Sequence, residues 1–407
     1  MLKDDSPQAV SQRKIWQLVE GHGRHALKLT LEALMEWERD LFLGCAHHER
    51  APERRGYRNG YQERRLDCRL GQLALRKPRV RGCDQPFQTH IIDRYQRRQR
   101  DLDLCVLGWV AGGLSTRRVS VAFQGAFEGL LSAGTVSRIV AGVDGQVRAF
   151  HERPLRHGYR FVFLDAKHAY TSRRRRGRGR GKKQKAALLL AWGVRHQGQE
   201  ELIDFRSVPC EEERNWTEFL SDLERRGLRE ENPWSQRLEM IVSDGDQGLL
   251  AALYMVYPSV PKQRCIFHKI QDITDHLIDK DHREAILQGA SGIYRGLTTP
   301  DQARQRLVQW VERWGEAQPQ AVRCFIYDFE QTLTYLNAPP QWRGRLRTTN
   351  PVERFIRELN RKSKQVGVYP SAQSWERHTY LVWKNLQTTG YAPTVRQAQQ
   401  TLFTQNS

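Results

Sequence analysis

The 407 residues carry 66 Lys and Arg against 46 Asp and Glu, a net charge of +20. That surplus points to a polyanionic partner, most commonly nucleic acid, and the 11 Trp, 14 Phe and 13 Tyr exclude a chain disordered throughout. No run of 18 apolar residues, no signal-peptide core after Met1 and seven Cys lacking any C-x-x-C pair argue against membrane spanning, secretion and a disulfide framework, and a cytoplasmic, nucleoid-associated protein is expected.

In chain order, His25–Leu43 sets Leu27, Leu31, Leu34, Met35 and Phe42 near one helical face, which predicts an amphipathic helix. Residues 54–100 hold 14 Lys and Arg against 4 Asp and Glu with Gly and Pro breaks, which reads as short strands and loops on a basic surface, or as a solvated linker. From Asp101 the pattern is helical again, with Leu102, Val106 and Val110 on one face, then Val119, Ala122, Phe123 and Phe127. A glycine-containing turn leads to Ser132, a candidate cap for a helix through Val140. Two short helices joined by a tight turn suit a helix-turn-helix reader of DNA, with Thr135, Ser137 and Arg138 offered to base edges; an ordinary helical hairpin has the same pattern.

Phe161–Leu164 reads as a buried strand ending on Asp165. Arg173, Arg174, Arg175 and Arg176 open a tract to Lys183 without an acidic residue, expected to form a hairpin tip or loop that meets DNA. Strands follow at Ala186–Val194, Glu201–Arg206 and Met240–Val242, the last ending on Ser243-Asp244-Gly245. Helices are expected at Trp216–Leu228 and Gln247–Tyr257, and a short strand around Cys265–Phe267. Residues 270–345 read as helical, and a final helix begins after Thr349, with Asn350 as cap and Pro351 in its first turn. This order predicts an α/β (α+β) protein built on a mixed sheet with helices on its faces.

Asp165 and Asp244 each close an apolar run, a position that in an open sheet faces the ligand crevice. Two carboxylates brought together there repel unless a proton or cation neutralises them, and Mg²⁺ is suited to carboxylates plus phosphate oxygens. Either Asp alone reads equally as the start of a turn. Glu353, early in the final helix, offers a third acid, and Arg357, Arg361 and Lys364 share its face as a basic stripe that could track a DNA backbone or simply meet solvent.

At these residues the chain resembles the Mutator-like (IS256) family of bacterial insertion-sequence transposases. The resemblance runs through Arg58-Asn59-Gly60-Tyr61, Leu114-Ser115-Thr116-Arg117, Thr135-Val136-Ser137, Phe163-Leu164-Asp165, Ser243-Asp244-Gly245, Gln263-Arg264-Cys265 with His268, and Thr348-Thr349-Asn350-Pro351-Val352-Glu353-Arg354. It implies an RNase H-like catalytic domain interrupted by a helical insertion, with Asp165, Asp244 and Glu353 as catalytic and metal-binding triad and Mg²⁺ (Mn²⁺ as substitute) as cofactor. Cys265 and His268 match a Cys-x-x-His element, half a zinc site in isolation and better read as structural beside the active site. A tryptophan of the insertion, Trp310 or Trp314, is a candidate for stacking on a DNA base or for the core.

The implied organisation is an N-terminal helical and basic DNA-binding region over 1–100 and a helix-turn-helix-like domain over 101–150. The catalytic domain would occupy 151–269 and 346–407, around an all-helical insertion at 270–345. The function expected is binding of the element's terminal inverted repeats, with metal-dependent strand cleavage and transfer by a homodimer or higher oligomer acting on terminal and target DNA. A non-catalytic DNA-binding protein derived from a transposase, and a structure-specific nuclease of the same fold, are the alternatives.

Overall fold

The computed structural model describes residues 12–49, 51–127, 131–156, 158–173, 182–231 and 237–388. They divide into two compact units, one formed by residues up to 110 with 114–140, the other by 111–113 with the residues from 141 onward.

In the first unit, helix α1 (Gln12–Leu43) lies on an antiparallel hairpin of β1 (Tyr57–Cys68) and β2 (Gly71–Arg81). The stretch expected as short strands is thus two long ones. Alternation along β2 buries Leu73 and Leu75, which pack with Leu66 and Met35 of the helix and with Leu27 and Leu31. Leu34, expected on this inner face, is exposed. Helices α2 (Arg100–Ala111), α3 (Thr116–Phe127) and α4 (Ala133–Ala141) follow. Leu102, Val106, Val119 and Phe123 are buried, as are Val136 and Ile139 of α4. The Ser132 hydroxyl accepts the Thr135 amide at 3.1 Å and so caps α4.

The second unit begins with α5 (Asp144–Glu152) and is built on a mixed sheet of β3 (Tyr159–Arg173), β4 (Lys182–Arg195), β5 (Glu200–Val208), β6 (Met240–Ser243) and β7 (Lys262–Arg264), in the order β5-β4-β3-β6-β7. The first three are antiparallel; β6 and β7 run parallel to β3. Three antiparallel strands extended by two parallel ones, with crossover helices α6 (Glu213–Arg225) and α7 (Gln247–Val256), define an RNase H-like core. One sheet face (Val162, Leu164, Leu189, Ile241) packs on Trp216 and Phe219 of α6 and on Leu249 and Leu253 of α7.

Beyond β7 come α8 (Ile266–Asp272), α9 (Arg283–Ile293), α10 (Pro300–Trp314), α11 (Pro319–Ile326), α12 (Pro340–Leu346) and α13 (Asn350–Ser363), then a short strand β8 (Val368–Tyr369) and α14 (Ala372–Thr388). The other sheet face is covered by α13 and α14, where Trp192 lies 6.1 Å from Phe355 and 5.4 Å from Trp383 between ring centroids. No helix among the described residues is long and apolar enough to cross a membrane.

Three local expectations are corrected. β3 does not end on Asp165 but runs on to Arg173, because β4 satisfies its backbone along the whole length. The strand expected around Cys265–Phe267 is β7, ending at Arg264; Cys265 instead precedes α8, whose first turn closes with the Lys269 amide on the Cys265 carbonyl at 3.0 Å. Asn350 is already helical, and the residue before α13 is Thr349, whose carbonyl accepts the Glu353 amide at 3.0 Å. The chain also adds β8 and α14 after the helix expected to be last.

Candidate active site

Asp165 owes its position to the pleat of β3. Phe161 and Phe163 point to the α13 side of the sheet, and Asp165 continues that alternation. β6 pairs with β3 only over Phe161–Phe163, and β8 rejoins the same edge at Tyr170. Between them the edge of β3 is open, and there the Ala166 amide donates to Asp165 Oδ1 at 2.8 Å. The parallel register matches Phe163 with Val242, so Asp165 and Asp244, each two residues further on, emerge level with one another on neighbouring strands. Such strands lie about 4.8 Å apart.

Asp244 is held by the turn that follows it. The Asp246 amide donates to Asp244 Oδ1 at 3.2 Å, and Asp246 caps α7 by accepting the Leu249 amide at 2.9 Å. Gly245 has φ +90°, and a Cβ there would come within 2.6 Å of the Arg264 side chain, so the residue after Asp244 must be glycine on both counts.

The third wall is the junction of β7 with α8 and the start of α13. The Cys265 amide donates to Ser243 at 2.7 Å and the Ile266 amide to Arg347 at 2.9 Å, which ties β6, β7 and the approach to α13 together. The Thr349 amide donates to Cys265 Sγ at 3.5 Å, while the Thr349 hydroxyl donates to Glu353 Oε1 at 2.7 Å. Cys265, His268 and Glu353 offer ligand atoms all within 4.8 Å of one another, a group able to hold a divalent metal. Asp165 and Asp244 do not complete an equally tight group with Glu353.

Burial, then Asp244, push the Asp165 carboxyl up to about 7, and burial also raises Asp244. Burial would lower His268, but its hydrogen bond and charge interaction with Cys265, with the attraction of Asp165 and Asp244, outweigh that and raise it to about 9. The imidazolium is therefore a positive charge that both acids attract. Its Nδ1 is buried without a hydrogen-bond partner among the described residues, a donor set left incomplete.

Several participants carried no sequence signal of their own. Lys167 lies on the Asp165 face of β3 and donates to Asn360 Oδ1 of α13, so a cation bridges the strand and the helix that carry Asp165 and Glu353. On the opposite parity, His168 lies 3.4 Å from Glu211, whose carboxyl is pushed up to about 7 by burial and by Asp244 and Asp246. The Gln263-Arg264-Cys265 block is a structural joint. Gln263 donates to Thr332 at 2.9 Å and accepts the Tyr335 amide at 2.7 Å, and Arg264 pairs with Asp272 and Asp328.

The remaining expected residues are placed as follows. Trp310 and Trp314 are 4% and 6% exposed, and Trp310 Nε1 donates to the Ile286 carbonyl at 3.2 Å, so burial supports the core alternative over base stacking. Arg357 and Arg361 are exposed on α13 and Lys364 just past its end, with Arg361 paired to Glu358 at 2.8 Å. In α4, Ser137 and Arg138 are exposed, and Arg138 donates to the half-buried Thr135 at 3.1 Å. Arg173 ends β3, whereas Arg174, Arg175 and Arg176 lie outside the described residues.

An RNase H-like sheet with one acid within its first strand and another just past its fourth defines a class of nucleic-acid-processing proteins. Residues 2–390 match the family described as transposase, Mutator family, and the chain belongs to that family. It is 32% identical over 353 residues to the transposase for insertion sequence element ISRM5 of Rhizobium meliloti, covering 86% of this chain and 84% of that one. It is 27% identical over 379 residues to the transposase for insertion sequence element IS256 in transposon Tn4001 of Staphylococcus aureus, covering 92% of each. The solved Drosophila P element transposase strand transfer complex aligns over 75% of this chain and 93% of that chain at 11% identity and a TM-score of 0.38, a likeness too weak to bear on the fold.

Proposed function

We propose that this transposase cleaves and rejoins DNA strands at the ends of its element, with Asp165, Asp244 and Glu353 as its catalytic carboxylates. The observation that carries the reading is the level placement of Asp165 and Asp244 on adjacent parallel strands, where both carboxyls are raised by burial. Buried like charges are costly, and a site that keeps two of them is suited to a cation. A bound pair of divalent ions would activate the attacking oxygen and stabilise the leaving one.

Glu353 lies between two donor sets, the oxygens of the aspartates and the softer Cys265 and His268. Carboxylate oxygens are the hard donors that suit Mg²⁺ or Mn²⁺, and that donor chemistry is the reason to assign the metal to the aspartate side of Glu353. Thr349 and Cys265 then act as positioning residues that fix the Glu353 carboxylate at the head of α13. Arg357, further along that helix, and Lys364, just past its end, neutralise phosphates of the bound strand, and Lys167 adds a cation beside Asp165. Sequence reading falls to α4, where Thr135, Ser137 and Arg138 face base edges while Val136 and Ile139 hold the helix to its core.

The test is incubation with a duplex bearing the element's terminal repeat, in Mg²⁺, Mn²⁺ or EDTA. Strand cleavage that leaves a 3′-hydroxyl in either metal and none in EDTA is expected. Cleavage that persists in EDTA would overturn the proposal.

A further inference from the structure

Cys265 and His268 make only half a metal site in the sequence, and the fold supplies a third donor from far along the chain. Cys265 immediately precedes α8, His268 lies in its first turn, and Glu353 comes from the first turn of α13. The ligand atoms of the three lie within 4.8 Å of one another, and among the described residues no other three His, Cys, Asp or Glu side chains converge as closely. Thr349 fixes two of the donors: its amide donates to Cys265 Sγ at 3.5 Å and its hydroxyl to Glu353 Oε1 at 2.7 Å. His268 Nδ1 is buried with no hydrogen-bond partner among the described residues, the state of a ring nitrogen that a ligand would complete. Cys265 is fully buried while His268 and Glu353 are half-buried, so an ion would approach from their side.

We propose that Cys265, His268 and Glu353 bind a thiophilic divalent ion of the zinc class, and that its binding switches the transposase off by holding Glu353 away from Asp165 and Asp244. The donor set selects the ion. Thiolate and imidazole suit Zn²⁺ and discriminate against Mg²⁺, which keeps to oxygen ligands. Three protein ligands around an open fourth position is a coordination that zinc accepts. Zinc–ligand bonds of about 2.0–2.3 Å set tetrahedral donors roughly 3.3–3.8 Å apart, so the three side chains close on the ion by movements on the order of 1 Å. Cys265 binds as the thiolate, its proton passing to solvent. Glu353 is the one ligand common to this set and to the aspartates, and zinc holds its carboxylate on the Cys265 side. The effect on catalysis rests on the reading of Glu353 as a catalytic carboxylate; the ion site does not.

Co²⁺ is the probe, because a cobalt–thiolate bond absorbs in the near ultraviolet and can be read without DNA. Titrated into the metal-free full-length chain, Co²⁺ is expected to develop that band at one equivalent, and Zn²⁺ to displace it. Cys265→Ser leaves the other six cysteines in place and should lose the band. The isosteric Glu353→Gln, its circular dichroism spectrum unchanged, should bind Co²⁺ at least about 10-fold more weakly, since even an outer partner of a ligand is worth that much. In cleavage of a terminal-repeat duplex in Mg²⁺, added Zn²⁺ should abolish cutting, with half-inhibition at the Zn²⁺ affinity read from the cobalt competition. No thiolate band in the wild type, a band that survives Cys265→Ser, a Co²⁺ affinity unchanged by Glu353→Gln, or full cleavage with the site filled would overturn the proposal. A wild type that shows the band yet cuts nothing in Mg²⁺ alone would overturn the catalytic reading, and the switch with it, and leave the ion site standing.

Discussion

Asp165 and Asp244 each stand two residues past the last pair that joins β3 to β6, Phe163 with Val242, and so face the same crevice from neighbouring strands. Strand geometry alone brings the two acids together, and their mutual repulsion is built into the folded state. The consequence is measurable as stability. Burial and Asp244 raise Asp165 from 3.8 to about 7, so folding gains from its protonation at low pH and loses that gain as pH rises from about 4 to about 7. In EDTA the melting temperature should fall across that window, by an amount corresponding to a few kcal/mol. Asp165→Asn should flatten it. Thermal melts with and without Mg²⁺ check this: the metal should raise the wild-type melting temperature most at the upper end of the window.

His268 makes the complementary case. Its folded-state value is raised from 6.5 to about 9, so its stabilising charge is complete below about 6.5 and lost as pH climbs through 9. His268→Gln should remove the decline above pH 6.5 and leave that below it. A His268→Gln variant with the wild-type profile above pH 6.5 would mean that another group titrates there.

The joint between β7, α8 and the helical segment should be a major contributor to stability. Lys269 is buried, with Nζ 2.6 Å from the carbonyls of Cys324 and Tyr327 and from Asp328 Oδ1. Lys269→Met strips three acceptors of their donor and should cost about 3–5 kcal/mol. Chemical denaturation of the full chain measures it.

Much of this arrangement was legible in the sequence because the apolar runs before Asp165 and Asp244 are true strands and their acids sit at the open end of the parallel pairing. The extension of β3 to Arg173 was not, since residues after Asp165 lose the apolar alternation and are held in the strand by β4. Cys265-Ile266-Phe267 misled for a related reason: three apolar residues fit a strand or a helix start, and contacts distant in the chain, with Ser243 and Arg347, decide between them. The Thr349–Glu353 bond follows from helical spacing, but its partner Cys265 lies 84 residues away.

DNA contacts should separate by type. Arg138→Ala in α4 should cost about 1–3 kcal/mol of discrimination between terminal and scrambled duplexes, whereas Arg357→Ala in α13 and Lys364→Ala at its C-terminal end should weaken both equally and each lower the salt slope by about 1. Titrations of both duplexes at several salt concentrations distinguish the two outcomes. A loss at Arg138 equal for both duplexes would make it a phosphate contact.

The most direct measurement is single-turnover cleavage of the element's own end in Mg²⁺ by the wild type and by Asp244→Asn, with end binding measured in parallel. The wild type should cut. Asp244→Asn should bind with near-normal affinity and show no cleavage, because it keeps the turn at Gly245 and removes only the charge. Cleavage by Asp244→Asn at the wild-type rate would contradict the assignment of Asp244, and with it the pairing of Asp165 and Asp244 as the heart of the site.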